Sequence, residues 1–167
     1  MKIFGFLLLI TLSTCYSCKE ELFTELPPET QTGEHTFGCY VNGELFVAQR
    51  GYAFFGQPYL IAEYLVSANY LKISAYGKSG LISFDGFYPE TENVVSIDRA
   101  KYRNTLKNLF YEVNNAPIGE IYFTKFDTIN NIVSGTFSCK TRLNNNVDSI
   151  AYLTQGRFDI ELTKYYD

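Results

Sequence analysis

Residues 120–141 read EIYFTKFDTINNIVSGTFSCKT, two runs rich in β-branched and aromatic residues on either side of Asp127-Thr128-Ile129-Asn130-Asn131. Such residues fit a pleated, half-buried surface, and an Asx-rich break between two of these runs marks a hairpin. Whether the loop is Asn130-Asn131 or the four residues Thr128 to Asn131, the pairing shifts by two, so the same faces stay inside. On strict alternation Tyr122, Phe126, Val133, Phe137 and Cys139 face the core, while Lys125, Asp127, Ser134 and Thr136 face water.

The same pattern recurs outward in both directions. His35 to Val47 is a second hairpin, in which Phe37, Cys39 and Val41 share a face and Asn42-Gly43 supplies the positive torsions of a type I′ turn. Tyr59 to Ser67 and Asn69 to Tyr76 read as strands, the latter alternating Leu71, Ile73 and Ala75 against Lys72, Ser74 and Tyr76. Gly77 to Gly80 closes that strand, and Leu81 to Tyr88 follows it. Pro89 to Asn93 reads as a loop, Val94 to Ile97 and Tyr102 to Val113 as weaker strands, and Asn114-Asn115-Ala116-Pro117 as a break. After Asn144-Asn145-Asn146 come the last strands, with a bulge expected at Gly156; there Phe158, Ile160 and Leu162 alternate against the wet-face residues Arg157, Asp159 and Glu161. Many short strands without intervening helices predict an all-β fold, a single antiparallel β-sandwich or β-barrel domain over residues 36–167.

The N-terminus has a different character. Lys2 is a positive flank and Ile3 to Leu12 an apolar run, too short to span a bilayer and suited to a signal peptide over residues 1–17. The following Leu12-Ser13-Thr14-Cys15-Tyr16-Ser17-Cys18 resembles the lipobox of bacterial lipoproteins, which makes Cys18 the expected lipid attachment site, with Cys15 the runner-up. Cleavage by an ordinary secretory peptidase is the alternative. Residues 18–35, acidic and carrying Pro27-Pro28, are expected to be the lipidated cysteine and a flexible tether. Two or more acyl chains would hold the domain on a membrane.

Removing residues 1–17 leaves 150 of the 167, enough for one core, and the loss of Lys2 alone takes the formal charge from −4 to −5. That charge argues against a general nucleic-acid binder, which needs clustered cations. In an exported protein Cys39 and Cys139 are then left either to form one disulfide or to remain as two buried thiols.

Little in the chain carries chemistry. The single histidine, His35, lies at the edge of the tether, where a catalytic triad or a His/Cys zinc site has nothing to build on. The carboxylates Asp85, Glu90, Asp127 and Asp159 would serve a hydrolase only if the fold gathered them; each reads more simply as a turn or solvent-face residue. Asp127 with Asn130 and Asn131 offers oxygen ligands, yet lacks the dense acidic loop of a calcium site. Tyr52, Phe54, Phe55, Tyr59 and Tyr64 are either core or a stacking platform for sugar rings. No cofactor or metal is implied.

Four strings, taken in order, resemble a family of small exported Bacteroidetes lipoproteins of unknown function: LPPETQTG at residues 26–33, TFGCYVNG at 36–43, IVSGTF at 132–137 and GRFDI at 156–160. The resemblance covers most of the chain after Cys18 and implies a β-rich fold and a lipid anchor, with no activity to carry over. The Lys19-Glu20-Glu21 run also resembles an export signal for display on the outer face of the outer membrane. The expected function is therefore a non-catalytic binding domain anchored in the outer membrane, facing periplasm or cell surface, with a glycan or an envelope protein as partner. A barrel carrying a small apolar ligand is the alternative, and a carboxylate hydrolase ranks third.

Overall fold

In the computed structural model, Asn42 and Gly43 both take positive φ, at 50° and 84°, so Val41 pairs with Glu44 and the two-residue turn joins β1 (Thr36–Val41) to β2 (Glu44–Val47). The structure describes residues 23–54, 56–88, 93–113, 118–144 and 146–166, with the backbone alone at 146 and 147. The leader, Cys15, Cys18, Lys19-Glu20-Glu21, Phe55, Glu90 and the break at 114–117 lie outside these residues.

β3 (Leu60–Leu65) and β4 (Tyr70–Gly77) are joined through a 3₁₀ turn at Val66–Ala68 and the left-handed Asn69. Gly77 pairs with Gly80, so Lys78-Ser79 makes a two-residue turn into β5 (Gly80–Phe87). β6 (Val94–Ile97) follows, and the run expected as one strand from Tyr102 divides into β7 (Arg99–Asn104) and β8 (Leu109–Val113) around left-handed Asn108. β9 (Gly119–Asp127) and β10 (Ile132–Leu143) form the hairpin of the opening stretch with the four-residue loop, since Ile132 pairs with Asp127. β11 (Asn146–Tyr165) ends the chain.

Among the described residues the eleven strands form one sheet in the order β2-β1-β11-β3-β4-β5-β7-β8-β10-β9-β6, with β10 and β11 also paired. The ladder thus returns on itself from β11 through β3, β4, β5, β7, β8 and β10 back to β11. One pairing departs from the expected antiparallel arrangement: Leu162–Tyr165 of β11 runs parallel to Ala62–Leu65 of β3. The ring has seven members, and an odd number of strands cannot alternate in direction all the way round, so one neighbouring pair runs parallel. β11, at twenty residues, carries that pair as well as antiparallel ones. Its first part runs antiparallel to β1 and β10, it bulges at Gln155 and Gly156 as the glycine predicted, and its last four residues cross to β3.

A bulge also corrects the expected faces of the opening hairpin. Lys125 pairs with Ser134 but Phe123 pairs with Gly135, leaving Thr124 as an extra residue in β9. One extra residue reverses the alternation beyond it. Ile121 and Phe123 therefore enter the core, and Tyr122, expected inside, is 50% exposed. Val133, Phe137 and Cys139 are buried as expected, and Phe126 is half-buried against the core.

The interior is filled largely by rings. Phe84 from β5 meets Phe37 of β1 and Phe137 of β10, with centroids 6.1 and 4.7 Å away, and the last two stack at 5.2 Å. Phe158 and Phe123 extend the cluster. Cys39 and Cys139 face this core from β1 and β10, on either side of β11, and both thiols are free. Burial pushes each thiol up, Cys139 to about 12, so neither is a ready nucleophile.

Candidate functional site: a cleft between loop and strap

Past β2, Ala48 bridges to Gly77 and the chain leaves the sheet for residues 49–59. Both ends of this loop are tied to one residue: the Gln49 amide donates to the Tyr76 carbonyl at 2.8 Å, and the Tyr76 amide donates to the Tyr59 carbonyl at 2.7 Å. Gly51 and Gly56, with φ of 89° and 78°, make the two reversals that bring the ends together. The result is a compact loop standing on β4 with aromatic side chains on its surface.

The opposite wall is the N-terminal segment. Residues 23–35 have no strand structure, yet from Leu26 onward they lie on the outer face of β1, β10 and β11. Pro27 packs on Gly38, where even a Cβ would approach the proline Cδ to 2.6 Å. Arg157 Nη1 donates to the Pro27 carbonyl at 3.3 Å, and Lys125 Nζ donates to the Gln31 carbonyl at 3.0 Å. The tie at the end is Asp159. Its carboxylate accepts from the Thr30 hydroxyl (2.7 Å), the amides of Thr32, Gly33 and Glu34 (2.9 to 3.1 Å) and the Ser134 hydroxyl (2.6 Å). Asp159 and Ser134, both expected on the wet face, are accordingly buried under this strap. The expected tether is, over its described part, docked rather than free.

Between loop and strap is an open cleft of about 760 Å³, with Phe23, Pro27 and His35 on one side, Arg50, Tyr52 and Tyr59 on the other, and Phe37 beneath. His35, left-handed at φ 58°, meets Tyr59 edge to face at 5.3 Å, and the Tyr59 hydroxyl donates to the His35 carbonyl at 3.2 Å. Arg50 holds its guanidinium 5.9 Å from the Tyr59 ring centre. Burial lowers the His35 pKa and Arg50 lowers it further, against the opposing charge of Glu161, so the imidazole is neutral at pH 7. A second hollow on the outer side of the loop, about 380 Å³, shares Arg50 and Tyr59 and adds Phe54, which is 71% exposed.

The aromatic set proposed from the sequence divides here. Tyr52 and Tyr59 line the cleft and Phe54 stands beside it, whereas Tyr64 is fully buried, its hydroxyl donating to Asn69 Oδ1 at 2.8 Å. Asp85, Asp127 and Asp159, the carboxylates of that set among the described residues, do not gather. Asp85 pairs with Arg99 at 2.7 Å on the outer face of β5, Asp159 is under the strap, and Asp127 accepts from the Ile129 and Asn130 amides and the Asn130 side chain within its own turn. Those donors occupy the oxygens a calcium ion would need, and Asp127 is held below the usual carboxylate range first by the Asn130 side chain. Among the described residues no group of three or more His, Cys, Asp or Glu is placed to hold a metal.

Phe23 and Arg50 were not legible as site residues. The one signal for Arg50 was its position beside Gly51 and Tyr52 in an aromatic loop. Neither a protein-family model, nor a characterised protein, nor a solved structure matches this chain.

Proposed function

We propose that this is a non-catalytic binding domain, held at the cell envelope by lipid on Cys18, and that its cleft takes a saccharide. The observation that supports this most is the loop 49–59. It leaves Phe54 exposed and Tyr52 and Tyr59 half-buried along the cleft beside a guanidinium, although the same chain buries Tyr64 completely. Ring faces offer stacking surface to a pyranose, and Arg50, which makes no ion pair with a described carboxylate, offers a planar fork of donors to hydroxyls or to a uronate. The neutral His35 adds a polar contact without charge.

The test is binding of the purified domain to a panel of neutral and acidic oligosaccharides. Tyr52→Ala and Arg50→Ala are each expected to weaken the best binder by about tenfold, equivalent to ~1.4 kcal/mol, with unchanged melting. Absence of binding across the panel would remove the saccharide and leave an envelope protein as partner. For the anchor, labelled palmitate is expected to be lost in Cys18→Ala and kept in Cys15→Ala; the reverse pattern would move the lipid to Cys15.

A further inference from the structure

The strap that forms one wall of the cleft is held almost entirely by side chains of the sheet. Its described polar ties run to Asp159, Arg157, Lys125 and Ser134 by way of the Asp159 carboxylate, and it lends no strand to the ladder, which begins at Thr36. Five donors converge on the one carboxylate, and four of them come from residues 30–34. Where strap meets β1, Gly33 and His35 are both left-handed, at φ 80° and 58°, so the chain pivots there on two tight reversals. N-terminal to the pivot Phe23 and Pro27 line the cleft, and Glu34 lines it from within the pivot.

We propose that residues 26–34 are a detachable wall, latched by Asp159, so that release of the strap opens the cleft and occupation of the cleft holds the strap down. Asp159 is thus a positioning residue: it touches no ligand and sets where one side of the site stands. The reasoning rests on the cleft being the binding site. Its consequence is a coupling between the chain leading toward the N-terminus and the ligand, and thermodynamic linkage makes that coupling reciprocal. A pull on residues preceding 26 would weaken binding, and bound ligand would resist the pull. The β1–β11 ladder does not depend on the strap, since Thr36 to Val41 has its own register with β11.

The chain has no tryptophan, so single reporters can be placed without background. Phe23→Trp puts an indole on the strap wall and Tyr52→Trp one on the loop wall. In each, adding Asp159→Asn is expected to shift emission to longer wavelength and raise quenching by acrylamide, while far-ultraviolet circular dichroism and a single cooperative melt persist. Unchanged emission from position 23 would overturn the latch. A shift at position 23 without one at position 52 would overturn the wall. Should Asp159→Asn fail to fold, Thr30→Val with Arg157→Gln removes one of the four strap donors on the carboxylate and the tie to Pro27 while the three amide bonds stay; a smaller shift in the same direction at both positions supports the latch, and no shift at position 23 overturns it. Neither reporter needs a ligand, so a negative saccharide panel would dispose of the proposed function without touching the latch. With a saccharide that does bind, Asp159→Asn is expected to weaken its binding, and the bound saccharide is expected to lower acrylamide quenching of the position 23 indole.

Discussion

Asp159→Asn is expected to destabilise the protein by about 2 kcal/mol at neutral pH and to erase a step in its acid stability. Burial alone raises the Asp159 pKa, but hydrogen bonds from the Ser134 and Thr30 hydroxyls and the Glu34 and Gly33 amides outweigh it and hold the carboxyl at about 2, against 3.8 ordinarily. Between those two values the unfolded chain binds the proton and the folded chain does not. Stability therefore rises with pH across that window. The contribution is complete above about pH 5, where both states are ionised, and is lost as pH falls through 2. Urea midpoints of the two proteins should lie apart at pH 7, converge from about pH 5 downward and meet near pH 2. Curves that stay parallel throughout would mean that the carboxylate charge does not hold the strap. The cost stays modest for a residue with five donors because a released strap returns its donors to water.

The sequence carried the strand pattern well and the exceptions to it poorly, for identifiable reasons. Asn42-Gly43 and Lys78-Ser79 between glycines are local turn chemistry, so their hairpins were legible from a few residues. The alternation of Leu71, Ile73 and Ala75 was legible because β4 is regular, with register unbroken against β3 and β5, but Ser74, expected on the wet face, is buried with its hydroxyl 2.9 Å from that of Ser83 on β5. Tyr122 was misplaced because the bulge at Thr124 leaves no mark in composition, there being no glycine in β9 at that point. Asp159 was read as a solvent-face residue because alternation reports which side of a strand a residue occupies. It does not report that a distant segment covers that side. The strap is more than 120 residues away in sequence from the carboxylate that holds it.

The cleft shows the same division. Its rings were visible as a cluster at residues 52–64, but period and spacing could not separate Tyr64 from the rest. Tyr64 lies on β3 at a core position, while Tyr52 belongs to the loop that Tyr76 ties at both ends. That tie is a backbone contact and carries no signature in side-chain identity. Likewise His35, discounted as a base for lack of partners, takes its place as a wall residue from the left-handed pivot and the edge contact with Tyr59.

The largest effect is expected from Phe84→Ala, at about 3–5 kcal/mol, the usual range for emptying a phenylalanine site in a packed core. Phe84 is 2% exposed on β5 and spans the interior to touch Phe37 and Phe137, which stack on each other across from it. Removing it leaves those two rings without their opposing surface, and closed ladders on both sides limit how far the strands can move inward to refill the space. Phe84→Leu keeps most of the volume and should cost about half as much, so the ratio of the two measures packing rather than polarity. Against a total stability of 5–15 kcal/mol typical of domains, the alanine variant would fall to marginal folding at roughly 40 °C. Urea unfolding of the three proteins supplies the measurement, with similar slopes required for the comparison. The result also bears on the alternative of an apolar-ligand carrier. A domain whose interior is kept open for a ligand loses little when a lining ring is trimmed, and a cost below about 1 kcal/mol for Phe84→Ala would point that way. A cost in the full range places the aromatic wealth of this chain in the service of the core on the inside, and leaves the loop of residues 49–59 as the place where rings are spent on binding.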